Sequence, residues 1–257
     1  MPSILFEIKD SIGIIQLNRP EKLNAFNGEM ALLLQDKLDE CKTESVRAVY
    51  ITGVGKGFSA GQDLAEVAKP GGVDFNTILS KYYNPIVTRI RKLEKPVVAA
   101  VNGVAAGAGA NIALCCDIVV AAQSAFFVQA FSKIGLIPDS GGTYVLPRLI
   151  GWQKASALMM LGDKVTATDA ERFGMIYKVF PDELFAELSF AIAETLSAMP
   201  TKALAYTKQV LNISLINHFE EQLQEENIFQ QRAVNTDDYK EGVSAFLEKR
   251  TPAFKGK

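Results

Sequence analysis

Apolar positions change rhythm twice along this chain. Residues 4–8 and 12–17 alternate or run apolar around Asp10-Ser11, which predicts a β-hairpin. Residues 27–43 carry Met30, Leu33, Leu34, Leu38 and Cys41 at helical spacing, and 46–52 read as a short buried strand ending at Gly53. The glycine-rich stretch 53–74 predicts a loop, and 75–93 a helix. A strand–turn–helix unit follows over 97–116, then β-rich 118–121 and 125–128. Strands alternating with helices at this spacing predict an α/β fold of stacked ββα units. Beyond about residue 149 the helical period takes over, in 152–161, 168–173, 182–199, 201–216, 219–233 and 236–248. Only 175–180 reads as strand there, and it is expected to join the core. The division expected is an α/β core over 1–197 and an α-helical C-terminal region over 198–257, with Pro200-Thr201 marking a helix restart.

Composition narrows the class. A chain of 257 residues, 48% hydrophobic, can bury one large core. Its formal net charge is −2 and its basic residues are spread along the chain. That argues against nucleic acid or an anionic membrane as the main partner, while allowing local basic spots for a phosphorylated ligand. The first residues lack the basic-then-apolar order of a signal peptide. The apolar stretch 97–122 is broken by Asn102, Asn111, Asp117 and glycines, so nothing reaches the roughly 18 apolar residues of a membrane span. Cys41, Cys115 and Cys116 are an odd count with a vicinal pair. This predicts buried, reduced thiols in a cytoplasmic protein rather than a disulfide framework. His218 is the single histidine, with no cysteine beside it, so it reads as a surface residue at a helix start and no metal site is expected.

Candidate chemistry concentrates in 97–143. An apolar run, Val97 to Val101, breaks at Asn102-Gly103 and re-enters through Ala105-Ala106-Gly107-Ala108-Gly109-Ala110 into an expected helix. Small residues there permit close approach to the backbone, or close packing of helix on sheet. Free N–H groups at a helix start suit an anion or a developing oxyanion. About thirty residues later, Gly135-Leu136-Ile137-Pro138-Asp139-Ser140-Gly141-Gly142-Thr143 carries one carboxylate in small and apolar surroundings. Pro138 and the glycines would allow Asp139 to cap a turn. Sheltered from water, its pKa would instead rise toward the range of a useful base. An oxyanion cradle with one sheltered carboxylate is equipment for moving a proton beside a carbonyl.

Four blocks carry a resemblance over essentially the whole chain. They are Leu17-Asn18-Arg19-Pro20-Glu21-Lys22-Leu23-Asn24-Ala25-Phe26, Gly57-Phe58-Ser59-Ala60-Gly61-Gln62-Asp63-Leu64, Asn102-Gly103-Val104-Ala105-Ala106-Gly107-Ala108-Gly109 and Ile137-Pro138-Asp139-Ser140-Gly141-Gly142-Thr143. In this order and spacing they resemble the crotonase (enoyl-CoA hydratase/isomerase) superfamily. The resemblance implies a crotonase-like spiral of ββα units with an α-helical C-terminal region that packs homotrimers, which pair into hexamers. It implies an acyl-CoA substrate and no separate cofactor, coenzyme A being part of the substrate. It puts the two oxyanion donors on the backbone N–H groups of Gln62 and Ala108. It also assigns Lys22 and Leu23, with Ala60, Asp63 and Leu64, to the adenine and phosphopantetheine, and lets Phe254 and Lys257 close over the nucleotide, from the same or a neighbouring subunit.

Departures from the family pattern point to the reaction. Hydratases of the family use two glutamates, and the matching positions here are Asn111 and Phe131. Neither an amide nor a phenyl ring shuttles protons at neutral pH, and both are expected to line the acyl pocket instead. One carboxylate, Asp139, can lift a proton from one carbon and return it two carbons away, which is allylic isomerisation through an enolate. The blocks Tyr82-Tyr83-Asn84-Pro85, Ala130-Phe131-Ser132-Lys133 and 241–247 resemble the phenylacetate-pathway branch, which rearranges a ring-1,2-epoxide thioester to an oxepin and shifts Δ3 double bonds to Δ2. The alternatives weighed are an enoyl-CoA hydratase, a 4-chlorobenzoyl-CoA dehalogenase with Asp139 as nucleophile, and a non-catalytic acyl-CoA- or RNA-binding relative. The acyl pocket is expected to depend on 65–95.

Overall fold

The computed structural model describes residues 1–68 and 72–257. Three residues of the expected 53–74 loop, and of the 65–95 segment tied to the acyl pocket, therefore lie outside the described part.

The first strands, β1 (Ile4–Lys9) and β2 (Ile12–Leu17), form the expected hairpin, turned by Asp10 and Ser11 in the left-handed region. Helix α1 (Gly28–Glu40) follows, with Asn27 capping its start by accepting from Met30 N at 2.9 Å. Strands β3 (Ala48–Gly53) and β4 (Gly57–Ser59) come next, then the short helix α2 (Leu64–Val67). A segment begun by α3 (Phe75–Thr77) widens into a π-helical turn, Ile78–Tyr83, and continues as α4 (Asn84–Lys92). After it lie β5 (Val97–Val101), β6 (Val104–Ala106), α5 (Ala108–Leu114), β7 (Ile118–Ala122) and β8 (Phe126–Val128).

The remaining elements are α6 (Gly142–Ile150), α7 (Trp152–Leu161), β9 (Lys164–Thr166), α8 (Ala167–Arg172), β10 (Lys178–Phe180), α9 (Phe185–Ala198), α10 (Thr201–Ser214), α11 (Phe219–Val234) and α12 (Asp237–Glu248). Several elements depart from the sequence pattern, among them α2, a four-residue helix inside the stretch expected to be loop. β4, β6 and β9 are three residues each, too short to show a period, and β9 is a second strand beyond residue 149 where only one was expected. α6 holds an interior Pro147, which breaks a helical pattern on paper.

Two sheets result. The larger runs β1-β2-β3-β5-β7-β10 and is parallel from β2 onward; the smaller runs β4-β6-β8-β9, parallel except at β9. β5 is buried along its whole length, as befits a parallel strand covered on both faces. Each turn of the chain passes from the large sheet to the small one, β3 to β4, β5 to β6 and β7 to β8, and so winds a spiral. The corners require glycine: a Cβ on Gly53 or Gly103 would strike the backbone of Gly57 or Lys56. α9 lies across the large sheet, whereas α10, α11 and α12 pack chiefly on one another. His218 caps α11 as a surface residue, and all three cysteines are buried and unbridged. Among the described residues no helix is long and apolar enough to cross a membrane.

Candidate active site

Three neighbouring parallel strands deliver the site at their C-terminal ends. β4, β6 and β8 pair side by side, with Ser59 opposite Ala105 and Ala105 opposite Phe127. Beyond β4 the chain reaches Gln62, beyond β6 it reaches Ala108, and beyond β8 it reaches Phe131 and Asp139. The carboxyl ends of parallel strands are where such folds place ligands.

Gln62 forms an isolated parallel bridge with Phe26. Phe26 N donates to Gly61 O at 2.6 Å and Asp63 N to Phe26 O at 2.8 Å. The bridge thus uses the flanking groups and turns the N–H of Gln62 to the other side, where it meets no acceptor among the described residues. Ala108 is the first residue of α5, and its N–H also meets no acceptor among the described residues. The two segments touch: a Cβ on Gly61, at φ +87°, would stand 2.8 Å from Ala106 O and 3.5 Å from Ala108 N. Both readings of the small residues hold, at different positions. Gly107 sits at φ +51°, while Gly109 packs so tightly on β4 that a Cβ would meet the Ser59 side chain at 2.6 Å.

Asp139 is half-buried on the turn before α6. Its carboxylate does not cap that helix, whose start at Gly141 has no side-chain cap. Instead Oδ1 accepts from the Ser140 hydroxyl at 2.8 Å. Burial pushes the Asp139 carboxyl above the ordinary range, and the Ser140 hydroxyl offsets part of that rise. Ser140 and Gly141 both adopt left-handed backbone, at φ 51° and 77°, which sharpens the turn.

Asn111, expected to line the acyl pocket, packs against this turn. It is 1% exposed, and both ends of its amide are engaged. Nδ2 donates to the Asp139 carbonyl at 2.9 Å, and Oδ1 accepts from Gln129 Nε2 at 2.8 Å. Gln129 is 2% exposed, and its Oε1 has no partner. Phe131 is buried, with Cζ 3.7 Å from the Cβ position of Gly107. Its ring therefore closes on the start of α5.

Tyr83 completes the surroundings. It ends the π-helical turn, is 1% exposed, and donates from its hydroxyl to Gln62 Oε1. Gln62 Nε2 donates in turn to Glu66 Oε2 at 3.2 Å, and Glu66 Oε1 accepts from Gly28 N at 3.0 Å. Burial raises the Tyr83 pKa, with the charges of Asp139, Glu66 and Asp63 adding to it, so the phenol stays a neutral donor. Tyr83, Gln129 and Glu66 escaped the sequence reading. A lone amide in the apolar run Phe126-Phe127-Val128-Gln129-Ala130-Phe131 is the one signal that marked Gln129. π-helical turns often occur at functional sites, but no periodicity announces one.

The residues expected to hold a nucleotide divide into two groups. Lys22 and Leu23 end a short 3-10 turn, and Ala60 N donates to Leu23 O at 2.9 Å, which joins those two segments. Asp63 faces inward from this cluster: it pairs with Arg19 at 2.9 Å and caps α2, and Arg19 holds its carboxyl below the ordinary range. Leu64 is exposed. Phe254 and Lys257 lie elsewhere. Arg47, just before β3, donates to Phe254 O at 2.9 Å, and Asp238 N donates to Lys257 O at 3.0 Å. The Lys22–Leu23 cluster stands by the other end of β3, near Val54 and Gly57. Six residues of strand, about 17 Å at about 3.3 Å per residue, separate the two ends. Within one chain the tail does not reach the cluster.

The likeness to known proteins follows the same outline. The family profile described as enoyl-CoA hydratase/isomerase matches residues 7–257. The 1,2-epoxyphenylacetyl-CoA isomerase of Escherichia coli (strain K12) is 46% identical over 261 residues, covering 100% of both chains. A probable enoyl-CoA hydratase of Rhodobacter capsulatus is 42% identical, covering 99% of this chain and 98% of its own. A crystal structure of a putative enoyl-CoA hydratase/isomerase from Mycobacterium abscessus superposes with a TM-score of 0.93 at 34% identity, covering 99% and 100% of the two chains.

Proposed function

The chain belongs to the enoyl-CoA hydratase/isomerase family, whose crotonase fold it adopts, and is an enzyme acting on coenzyme A thioesters; from that premise we propose that it isomerises its acyl group rather than hydrating it. The observation that carries this reading is the set of side chains beyond the ends of β4, β6 and β8. Asp139 is the carboxylate there whose pKa is raised, and among the described residues its donor from another side chain is the Ser140 hydroxyl. Asn111 is locked into Gln129 and the Asp139 carbonyl, and Phe131 offers no proton. Hydration needs a water deprotonated and a proton delivered to the α-carbon, and one carboxylate does that poorly. Isomerisation needs a single group that gives back what it takes.

In the reaction proposed, the thioester oxygen accepts from the N–H groups of Gln62 and Ala108, which face it without competing protein acceptors. Asp139 removes a proton from C2 of a Δ3-enoyl thioester. The electron pair spreads through C3 and C4 and onto the thioester oxygen, where the two N–H dipoles stabilise the charge. The carboxylic acid then returns the proton at C4, leaving the Δ2 double bond. The name carried by the 46% identical relative supports a ring epoxide of phenylacetyl-CoA as a second substrate, rearranged to the seven-membered oxepin against the Phe131 ring. Lys22, Leu23, Ala60 and Leu64 are proposed to hold the coenzyme A portion. The exposed apolar side chains of α10–α12, among them Leu211, Phe219, Phe246 and Leu247, support assembly as a homotrimer or hexamer.

The test is turnover, followed by ultraviolet absorbance and mass spectrometry, with 3-enoyl-CoA, 2-enoyl-CoA, 4-chlorobenzoyl-CoA and the phenylacetyl epoxide thioester side by side. Isomerised products from the first and last are expected. Rapid formation of 3-hydroxyacyl-CoA or 4-hydroxybenzoyl-CoA instead would replace this reaction class.

A further inference from the structure

At the end of β3 away from Lys22 and Leu23 lies a cavity of about 600 Å³, walled by the segments before β3 and β5, the first turns of α10, and residues 255–257. Cationic side chains outnumber glutamates in its lining by seven to two, in a chain whose net charge is −2. Lys92, Lys95, Lys202 and Lys255 make no ion pair among the described residues. Lys257 approaches Glu44 only to 3.7 Å. Burial lowers the pKa of the half-buried Lys95, although Glu94 and Glu44 pull it back up. Lys42 pairs with Asp39, but the four unpaired ammonium groups around one concavity repel one another, and among the described residues no carboxylate forms an ion pair with them.

The backbone that carries these lysines is fixed. Lys208, buried in α10, donates to Ile90 O at 2.6 Å, Lys95 O at 3.1 Å and Asp117 Oδ2 at 2.7 Å, which ties the segment before β5 to α10. Arg47 donates to Thr201 Oγ1 at 3.0 Å, Met199 O at 2.7 Å and Phe254 O at 2.9 Å, which ties the start of β3 to α10 and the tail. The Asp238 carboxylate accepts from Lys255 N at 2.6 Å and Gly256 N at 2.8 Å. Three networks therefore set the shape of the cavity and leave the ammonium groups of Lys92, Lys95, Lys202 and Lys255 without ion pairs.

We propose that this cavity binds a phosphate-bearing ligand of nucleotide size, at a site separate from the acyl-CoA site. Convergent ammonium groups match phosphate oxygens, and Leu93 with Tyr206 forms an apolar wall that suits a base. The volume lies within the roughly 300–1,000 Å³ of small-molecule sites. The same chemistry arrives from two sources, a free nucleotide or the nucleotide end of a coenzyme A thioester, and stoichiometry separates them.

The experiment is isothermal titration calorimetry on the full-length protein in its native assembly. ADP is titrated into protein saturated with acetyl-CoA, which fills the acyl-CoA site. One ADP per chain is expected, displaced by pyrophosphate, with affinity at least tenfold weaker in the K92Q/K95Q/K202Q variant and turnover of 3-enoyl-CoA unchanged. If the cleft takes the nucleotide end of coenzyme A instead, acetyl-CoA binds twice per chain in the wild type and once in the variant. Should the triple variant fail to fold, Lys202→Glu at an exposed position gives the same comparison. Binding equal in wild type and variant, or no saturable second site in either titration, overturns the proposal. Loss of the isomerase reading would show only in the turnover assay and would leave the binding arm legible.

Discussion

Replacing Asn111 with leucine tests whether a buried amide, rather than Asp139 alone, sets the geometry of the proposed proton transfer. The substitution removes the 2.9 Å bond to the Asp139 carbonyl, which keeps only its bond from Gly142 N. It also strips Gln129 Nε2 of its acceptor, in a side chain 2% exposed whose Oε1 is already unpaired. One lost bond plus one orphaned buried donor amounts to about 2–4 kcal/mol. For a chain of this size that lowers the melting temperature by roughly 4–16 °C. The Asp139 turn also loses one of its two side-chain ties to α5 and its C-cap, keeping the bond from Cys115 Sγ to Ser140 O at 3.5 Å, and a shift of about 1 Å costs about 10²-fold in rate. Growth of conjugated-thioester absorbance from 3-enoyl-CoA reads kcat, and differential scanning calorimetry reads stability. The double variant Asn111→Leu/Gln129→Leu separates the two effects. Removing both partners of a buried bond restores much of the stability, while the Asp139 carbonyl still lacks its bond from α5 and kcat stays low. A folded Asn111→Leu protein with wild-type kcat, or a double variant that regains it, would refute the positioning role.

Other consequences concern the reacting groups. Asp139→Asn should bind acyl-CoA almost normally by calorimetry and lose roughly 10²–10⁴ of its isomerase rate, and an unchanged rate would return Asp139 to the status of a turn residue. The Asp139 carboxyl is raised by burial, so the working carboxylate forms only above the ordinary value of about 3.9, and kcat/KM should climb with pH beyond that point. The same shift means the native state holds this proton more tightly than the unfolded chain. Its contribution is complete below the unfolded pKa and is lost as pH rises through the raised one, so wild-type stability should fall relative to Asp139→Asn across that window; a pH-independent difference contradicts it. Hydration of 2-enoyl-CoA should be slow, because Asn111 and Phe131 replace the acids that hydration uses; a fast rate overturns the isomerase assignment. Ala108→Pro deletes one proposed oxyanion donor at the first position of α5, where proline is tolerated. A folded variant should lose about 2.7–4 kcal/mol of transition-state stabilisation, and full activity would move the thioester oxygen elsewhere.

How much of this was legible beforehand depended on the range of the interactions involved. The hairpin, β5 and the helices α7, α11 and α12 carry their own period within one stretch of chain, and the sequence reading places them to within a residue or so at either end. Asp139 is equally visible, because a single carboxylate among Pro138, Ser140 and glycines stands out without any knowledge of its neighbours. β4 and β6 are different. Each is three residues long, and what makes it a strand is pairing with a partner tens of residues away. Those pairings bring Gln62 beside Ala108, and they explain why Gly61 and Gly109 tolerate no side chain. The amide chain from Gln129 through Asn111 to the Asp139 carbonyl likewise crosses three elements, so the two bonds that hold Asn111 leave no mark on the sequence around it. The tail is a different case. Phe254 and Lys257 match a motif, but a match carries no coordinates, and Arg47 and Asp238 hold them at the far end of β3. If Phe254 and Lys257 do close over a nucleotide bound at Lys22 and Leu23, a second copy of the chain must supply them, because about 17 Å of strand separates the two within one chain.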